Sequence, residues 1–141
     1  IIGYMQGLRK VLCLGGAGAL GSNLLNTLSS GYSLTNVDYR EVPSMNNVKN
    51  VLLKNSVTPQ ENFNYIKQSL GDKKFGAIVV TAGGWRGGNI KSETFVQDYE
   101  AMRDMNLLPC LYAGKLATTH LSDNGLLVFV GAAAVFKEPQ P

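Results

Sequence analysis

Apolar residues along the chain alternate between two spacings. Short runs of residues predict five β-strands, at residues 10–14, 32–38, 48–54, 75–81 and 125–131, of which the first, fourth and fifth are almost continuously apolar. Apolar residues at helical spacing separate most of these runs: residues 19–30 carry Leu20, Leu24, Leu25 and Leu28 on one face, and residues 92–120 carry Phe95, Tyr99 and Met102. This order predicts an α/β fold of the Rossmann type, a doubly wound and mostly parallel sheet.

Local signals place the ends of several elements. Thr58-Pro59-Gln60-Glu61 is a capping box with proline at the first helical position, and Gly71 is placed to end the helix that follows. We expect Pro109 to disturb the long helix over 92–120. The link between the second and third strands contains Pro43 and is too short for a full crossover helix. We expect residues 1–8 to be a flexible lead-in and residues 9–141 to form one domain.

Composition excludes several classes of function. The chain has 141 residues, 45% of them hydrophobic, and a net charge of +3 from scattered lysines and arginines, so no stripe for nucleic acid is evident. The uncharged run over residues 11–37 contains asparagines and serines, which argue against a membrane span. Cys13, Cys110 and His120 have no metal-site spacing, and we expect two buried thiols, no metal and a cytoplasmic location.

A glycine-rich turn joins the first strand to the first helix. Residues 16–21 (GAGALG) match G-x-G-x-x-G, in which glycines allow the tight turn, the approach of a pyrophosphate and close packing of helix on strand. The alternative is a turn that only packs the helix on the sheet. We predict a dinucleotide site whose contacts come from Gly15, Gly16, Ala17, Gly18, Ala19, Leu20 and Gly21.

An acidic residue ends the second predicted strand, where dinucleotide-binding domains hold the adenosine ribose. Asp38 would accept hydrogen bonds from both ribose hydroxyls and repel a 2′-phosphate, which favours NADH over NADPH. Tyr39 and Arg40 follow it and are also candidates for cofactor contact. Arg40 could pair with a 2′-phosphate or stack on adenine, or be a solvated loop charge, so NADPH stays possible.

A second glycine cluster follows the fourth predicted strand (TAGGWRGGN, 81–89). Ligands of open α/β sheets bind beyond the carboxyl ends of the strands, so this loop should lie beside the first glycine turn. The small residues Ala82, Gly83 and Gly84 would let the nicotinamide ribose approach the backbone. Trp85 could offer a flat face to a planar substrate, or could be an aromatic plug over the loop.

Four segments together resemble a known family. GGAGALG (15–21), VD (37–38), AGGWRGGN (82–89) and GLLVFVGAAA (125–134) are similar to dihydropteridine reductases of the short-chain dehydrogenase/reductase superfamily. The similarity covers about residues 9–136. It implies NADH-dependent reduction of a quinonoid dihydropteridine that stacks near Trp85, and a homodimer paired through the long helices.

The same resemblance bears on catalysis. Asn106 lies where the superfamily often has a structural asparagine, although a polar residue on a helix face explains it equally well. The superfamily usually has a serine near the end of the fifth strand, where this chain has GAAA (131–134), and dihydropteridine reductases are similar in lacking that serine. The expected Tyr-x-x-x-Lys does not occur before Pro141, so we expect the domain to be incomplete at its C-terminus and this chain alone to be inactive.

Two alternatives to this reductase remain. The chain could be a non-catalytic NAD(H)-binding module, or a short-chain reductase for another carbonyl or imine substrate. The reductase would have a small-molecule pterin as its partner, whereas the module would sense NAD(H) or scaffold a partner; we expect neither nucleic acid nor membrane to be involved.

Overall fold

The computed structural model describes residues 9–43, 45 and 47–133. Within them, five parallel strands form one sheet in the order β3-β2-β1-β4-β5. The strands are β1 (Lys10–Leu14), β2 (Ser33–Asp38), β3 (Val48–Leu52), β4 (Phe75–Val80) and β5 (Leu121–Phe129). The doubly wound α/β fold is therefore confirmed. The predicted lead-in at 1–8 and the chain end at 134–141 lie outside the described residues.

Helices connect the strands and cover the sheet. They are α1 (Ala19–Leu28), α2 (Pro59–Leu70), α3 (Phe95–Met102) and α4 (Leu108–His120). Side chains of each buried strand alternate between two cores, since Leu12 packs towards α2 and α4 whereas Val11 and Cys13 pack towards α1. The capping box of α2 forms as predicted, with Thr58 and Glu61 exchanging hydrogen bonds.

The link from β2 to β3 has no helix in its described residues (39–43, 45 and 47), as its length predicted. The two strands are nevertheless parallel, with Asn36 opposite Asn50 in register. Parallel neighbours require the chain to return to the starting end of the sheet, and an extended chain spans about 3.3–3.6 Å per residue. A short extended link can therefore make this return.

The long helix predicted over 92–120 is divided. Helix α3 begins at Phe95, a π-helical turn occupies Arg103–Leu107, and α4 continues from Leu108. Pro109 lies just after this turn and cannot donate a backbone hydrogen bond to the preceding helical turn, whereas the Leu108 N–H donates to the Arg103 carbonyl five residues back. Wide turns of this kind are frequent at functional sites.

The last strand also differs from the prediction. It runs over Leu121–Phe129 rather than 125–131, and its register against β4 shifts between Phe75 and Ala77. The prediction began too late because Ser122, Asp123 and Asn124 near the start of this strand are polar and do not extend the apolar run. Among the described residues β5 is an edge of the sheet, and Leu126 and Phe129 are exposed on it.

Candidate functional site

The first glycine turn is built from hydrogen bonds to neighbouring backbone. The Gly15 N–H donates to the Val37 carbonyl at 2.9 Å, and the Gly18 N–H donates to the Gly15 carbonyl at 3.1 Å. Gly15 has a backbone φ angle of +94°, which residues other than glycine rarely adopt. These bonds hold the turn between the ends of β1 and β2, with the amino end of α1 immediately after it.

Three glycines of the turn, at positions 15, 16 and 21, have no room for a side chain. A Cβ at Gly21 would lie 2.3 Å from the carbonyl oxygen of Gly15. A Cβ at Gly16 would lie 2.4 Å from Oδ1 of Asn36. The motif is therefore required by packing, and it also leaves the backbone open towards a ligand at the amino end of α1.

The Asp38 carboxylate contacts the middle of this turn. Its Oδ2 accepts a hydrogen bond from the Ala17 N–H at 2.9 Å, and its Oδ1 accepts one from the Tyr39 N–H at 2.7 Å. An ionised carboxylate has about four acceptor positions, so lone pairs remain for further hydroxyl donors. Arg40 also contacts Ala17, because its Nη2 donates a hydrogen bond to the Ala17 carbonyl at 3.4 Å.

A cleft of about 490 Å³ lies at the carboxyl ends of β1, β2 and β4. Its lining combines the glycine turn, the end of β2, the loop after β4 and the π-helical turn: Gly15, Gly18, Asp38, Tyr39, Asn55, Thr81, Ala82, Gly83, Ala101, Asp104, Met105 and Pro109. A smaller cavity of about 50 Å³ adjoins it and is lined mainly by apolar residues, among them Leu53 and Leu108. A cleft that presents polar groups such as Asp38 and Asn55 and has an apolar end suits a ligand that is partly charged and partly flat.

Two tyrosines border the smaller cavity. Burial raises the pKa of Tyr39, and the negative charges of Asp104 and Asp38 raise it further. Burial likewise raises the pKa of Tyr112 to about 12, and its hydroxyl donates to the Pro59 carbonyl. Both phenols are therefore neutral hydrogen-bonding groups near neutral pH.

The second glycine loop lies next to the cleft through Ala82 and Gly83, as its position after β4 predicted. Asn106, in the π-helical turn, pairs with the backbone of this loop. Its Nδ2 donates to the Gly84 carbonyl at 3.1 Å, and its Oδ1 accepts from the Gly84 N–H at 3.2 Å. Asn106 thus fixes the loop, and a catalytic role for it stays a prediction.

Trp85 extends from this loop with 85% of its surface exposed. It therefore does not act as a plug among the described residues. The loop is attached to α3 by Arg86, whose Nε donates to Asp98 Oδ1 at 2.6 Å. Trp85, Tyr99 and Met102 line an open depression on this side of the molecule.

Some polar residues of the site were not foreseen from the sequence. Asn36 contacts the glycine turn, Thr81 Oγ1 donates to the Gly15 carbonyl at 3.0 Å, and Asp104 faces the cleft. One signal was available, because Asn36 is a polar residue between the apolar Leu34 and Val37 of a strand that is covered on both faces. The thiol of Cys13 is buried as expected, whereas Cys110 is only partly buried.

The described part of the chain lacks two further kinds of feature, a membrane-spanning helix and a metal-binding cluster. No helix there is long and apolar enough to cross a membrane. No group of three or more His, Cys, Asp or Glu residues in the same part could hold a metal ion.

Comparisons with known proteins extend this description. No protein-family model matches the sequence. A curated relative from Dictyostelium discoideum, named dihydropteridine reductase, is 31% identical over 129 residues, which cover 89% of this chain and 54% of the relative. A short-chain dehydrogenase family protein from Francisella tularensis superposes with a TM-score of 0.81 at 20% identity, covering 93% of this chain and 54% of that one.

The chain has the fold of short-chain dehydrogenases/reductases, and its sequence is similar to that of a dihydropteridine reductase. Its resemblance to dihydropteridine reductase is confirmed by the relative from Dictyostelium. A second superfamily structure, a short-chain dehydrogenase/reductase from Burkholderia multivorans with bound NADP, has a TM-score of 0.69 at 15% identity and covers 88% of this chain. At such identities the solved structures support the fold, and the chain spans about half the length of the curated relative.

Proposed function

We propose that this chain forms the NAD(P)H-binding part of a reductase that acts on quinonoid dihydropteridine. The observation that carries the proposal is the meeting of Asp38 with the Ala17 amide at the amino end of α1. It brings together, at one edge of the sheet, the acid that we propose to bind the ribose and the turn that we propose to bind the pyrophosphate. The relative named dihydropteridine reductase supports the substrate class.

The residues of the cleft fit a dinucleotide. The missing side chains at Gly16 and Gly21 leave a compact turn, and the Asp38 carboxylate retains acceptor positions. Such a cofactor supplies hydride when bound. The residues of this chain would bind the pyrophosphate, hold the adenosine ribose and position the loop at Ala82–Gly84 beside the nicotinamide ribose.

The choice between NADH and NADPH depends on two opposed charges near Ala17. The Asp38 carboxylate favours a ribose with two free hydroxyls, whereas the Arg40 guanidinium would attract a 2′-phosphate. We propose that NADH is preferred, because Asp38 makes the shorter contact with the turn and points into the cleft.

The substrate and partner assignments depend on exposed aromatic surface. We propose that Trp85, which is solvent-exposed beside the depression on α3, offers its face to the pterin. Phe95, Val96 and Tyr99 are also exposed along α3. They support the further proposal that this helix pairs with a second copy in the full-length protein.

The test is the replacement of Asp38 by alanine in the longest form of the protein that its gene encodes. NADH binding should weaken by about 1.5–3 kcal/mol for each lost hydrogen bond to the carboxylate. NADPH binding should weaken less or become stronger, because repulsion of the 2′-phosphate disappears. Fluorescence titration with both cofactors measures this.

Asp72→Ala is the matched control, since Asp72 is an acid at the opposite end of the sheet, after α2. It should leave both affinities unchanged. Equal losses for NADH and NADPH in Asp38→Ala would contradict the role of Asp38. Steady-state NADH oxidation with and without quinonoid dihydropteridine separates the reductase from a non-catalytic module, since a module would show no substrate-dependent oxidation.

A further inference from the structure

Two asparagines face each other across β2 and β3. Asn36 and Asn50 are partners in the parallel register, and Asn36 is fully buried. They follow Leu34 and Val48 by two residues, so they lie on the face of the sheet that α1 covers. A buried amide is costly unless its donors and acceptor are satisfied, so the partners of this pair are informative.

Asn36 connects two separate segments of the candidate site. Its Oδ1 accepts a hydrogen bond from the Gly16 N–H at 2.9 Å. Its Nδ2 donates to the Arg40 carbonyl at 3.2 Å and to Asn50 Oδ1 at 2.9 Å. Because a backbone N–H can only donate, the contact with Gly16 fixes which end of the Asn36 amide is the oxygen.

Asn50 extends the connection along the link after β2. Its Oδ1 also accepts a hydrogen bond from the Val42 N–H at 3.3 Å. The described residues of this link contain no helix that would hold it by its own hydrogen bonds. The two asparagines therefore supply partners for backbone groups on both sides of Glu41.

The glycine turn is shaped to receive Asn36. A Cβ at Gly16 would lie 2.4 Å from the Asn36 oxygen, so the hydrogen bond and a side chain at Gly16 exclude each other. Gly16 therefore accommodates the Asn36 side chain of β2 and also leaves the backbone open to a ligand. Only the backbone between Gly16 and Ala17 separates this contact from the one made by Asp38.

We propose that Asn36 and Asn50 are positioning residues for the cofactor: they fix the pyrophosphate turn and the Arg40 backbone relative to each other. This inference rests on the proposed NAD(P)H-binding function. Asn36 contacts both segments, so it should affect NADH and NADPH alike. Asn50 contacts Val42 directly and the Arg40 carbonyl through Asn36. Its removal should therefore affect mainly the binding of NADPH, whose 2′-phosphate would pair with Arg40.

Alanine variants of the two residues test this division. Asn36→Ala should raise the Kd of both cofactors by roughly tenfold, which corresponds to about one hydrogen bond's free energy. Asn50→Ala should raise the Kd of NADPH by about threefold more than that of NADH, because the Arg40 guanidinium loses its fixed position. Fluorescence titration of the longest encoded form of the protein measures both ratios.

His120→Leu is the matched control for the loss of a buried polar group. His120 is buried at the opposite end of the sheet, where its Nε2 contacts the Gly71 carbonyl at 3.1 Å. It should lower thermal stability without changing either Kd. Asn50→Asp is the conservative variant, and because a carboxylate oxygen can accept from both Asn36 and Val42, it should restore the ratio of the two affinities.

Amide hydrogen exchange without cofactor gives a second readout. Exchange at Gly16 should be faster in Asn36→Ala, and exchange at Val42 should be faster in Asn50→Ala, by about tenfold where an acceptor is lost. If the variants lose stability as His120→Leu does but keep wild-type affinities and exchange at these amides, the positioning role is wrong. If wild-type protein binds neither cofactor, the proposed function fails, and unchanged exchange would separately overturn the positioning network.

Discussion

The two glycine-rich loops at the carboxyl end of the sheet use glycine for different reasons. In the first turn, a Cβ at Gly15 would lie 2.3 Å from the Ala82 amide nitrogen, and one at Gly21 would lie 2.3 Å from the Gly15 carbonyl oxygen. In the second loop, a Cβ at Gly83 would lie 3.2 Å from Oδ1 of the Asn106 side chain, and one at Gly87 would be in ordinary contact with Trp85. At these positions the first turn is closed by backbone atoms, whereas the second loop borders side chains.

The first turn is therefore rigid, whereas the second loop is accessible to solvent. The first turn is held between β1, β2 and the loop after β4, and Gly21 is buried in it. The second loop is exposed from residue 83 to residue 90 and is held at separate points by Asn106 and Asp98. A ligand held by the first turn would meet fixed amides, whereas a ligand beside the second would meet adjustable side chains. The following predictions test that contrast.

The largest effect is expected for Gly21→Ala. The added methyl group would require the Gly15 carbonyl and the Thr81 side chain to move, since both lie within 2.7 Å of the new Cβ. Overpacking of this kind costs about 1–3 kcal/mol of unfolding free energy. We also expect NADH affinity to fall, because the turn itself is displaced. Chemical unfolding and fluorescence titration measure the two effects.

Gly31→Ala and Gly83→Ala are the controls with which the destabilisation by Gly21→Ala is compared. A Cβ at Gly31 meets nothing within 4 Å, so this variant should unfold like the wild type. The neighbour of a Cβ at Gly83 is the end of the Asn106 side chain, which can shift, so the cost should be below 1 kcal/mol. Equal destabilisation by Gly21→Ala and Gly31→Ala would break the distinction between the loops.

An intermediate effect is expected for Trp85→Ala, and it should appear in catalysis. Trp85 is 85% exposed, so its removal should change the unfolding free energy by less than about 0.5 kcal/mol. Loss of stacking on the pterin, worth about 0.5–1.5 kcal/mol, should lower kcat/KM for the quinonoid substrate several-fold. NADH affinity should stay near the wild-type value.

Trp85→Phe and Ile90→Ala are the controls for this prediction. Phenylalanine keeps a flat face and should retain most of the activity. Ile90 is 80% exposed on the same loop, so its removal tests whether any apolar truncation there lowers kcat/KM. A parallel fall in thermal stability and in affinity for both ligands in Trp85→Ala would favour a packing role.

The features predicted correctly from the sequence are local or periodic. The tight turn at Gly15 after β1, the position of Asp38 at the end of β2 and the capping box at Thr58 each depend on residues close along the chain, and the structure contains all three, whereas their roles towards a cofactor stay predictions. The pairing of Asn36 with Asn50 depends on strand register, which no local pattern fixes. The π-helical turn was missed because apolar spacing continues through it, and only Pro109 indicated a disturbance.

The smallest effect is expected for Arg86→Ala, which removes the attachment of the second loop to α3. The Arg86–Asp98 ion pair is 2.6 Å long but more than half of the arginine side chain is exposed, so its contribution should be below about 1 kcal/mol. Asn106 holds Gly84 independently, so NADH affinity should not change. Amide exchange should become faster in residues 85–90, and KM for the pterin should rise while kcat changes little.

Lys91→Ala, on the same segment, removes a positive charge without breaking this ion pair and should reproduce neither change. A loss of NADH affinity in Arg86→Ala equal to that in Gly21→Ala would mean that the two loops act as one rigid unit, and the contrast between them would be wrong.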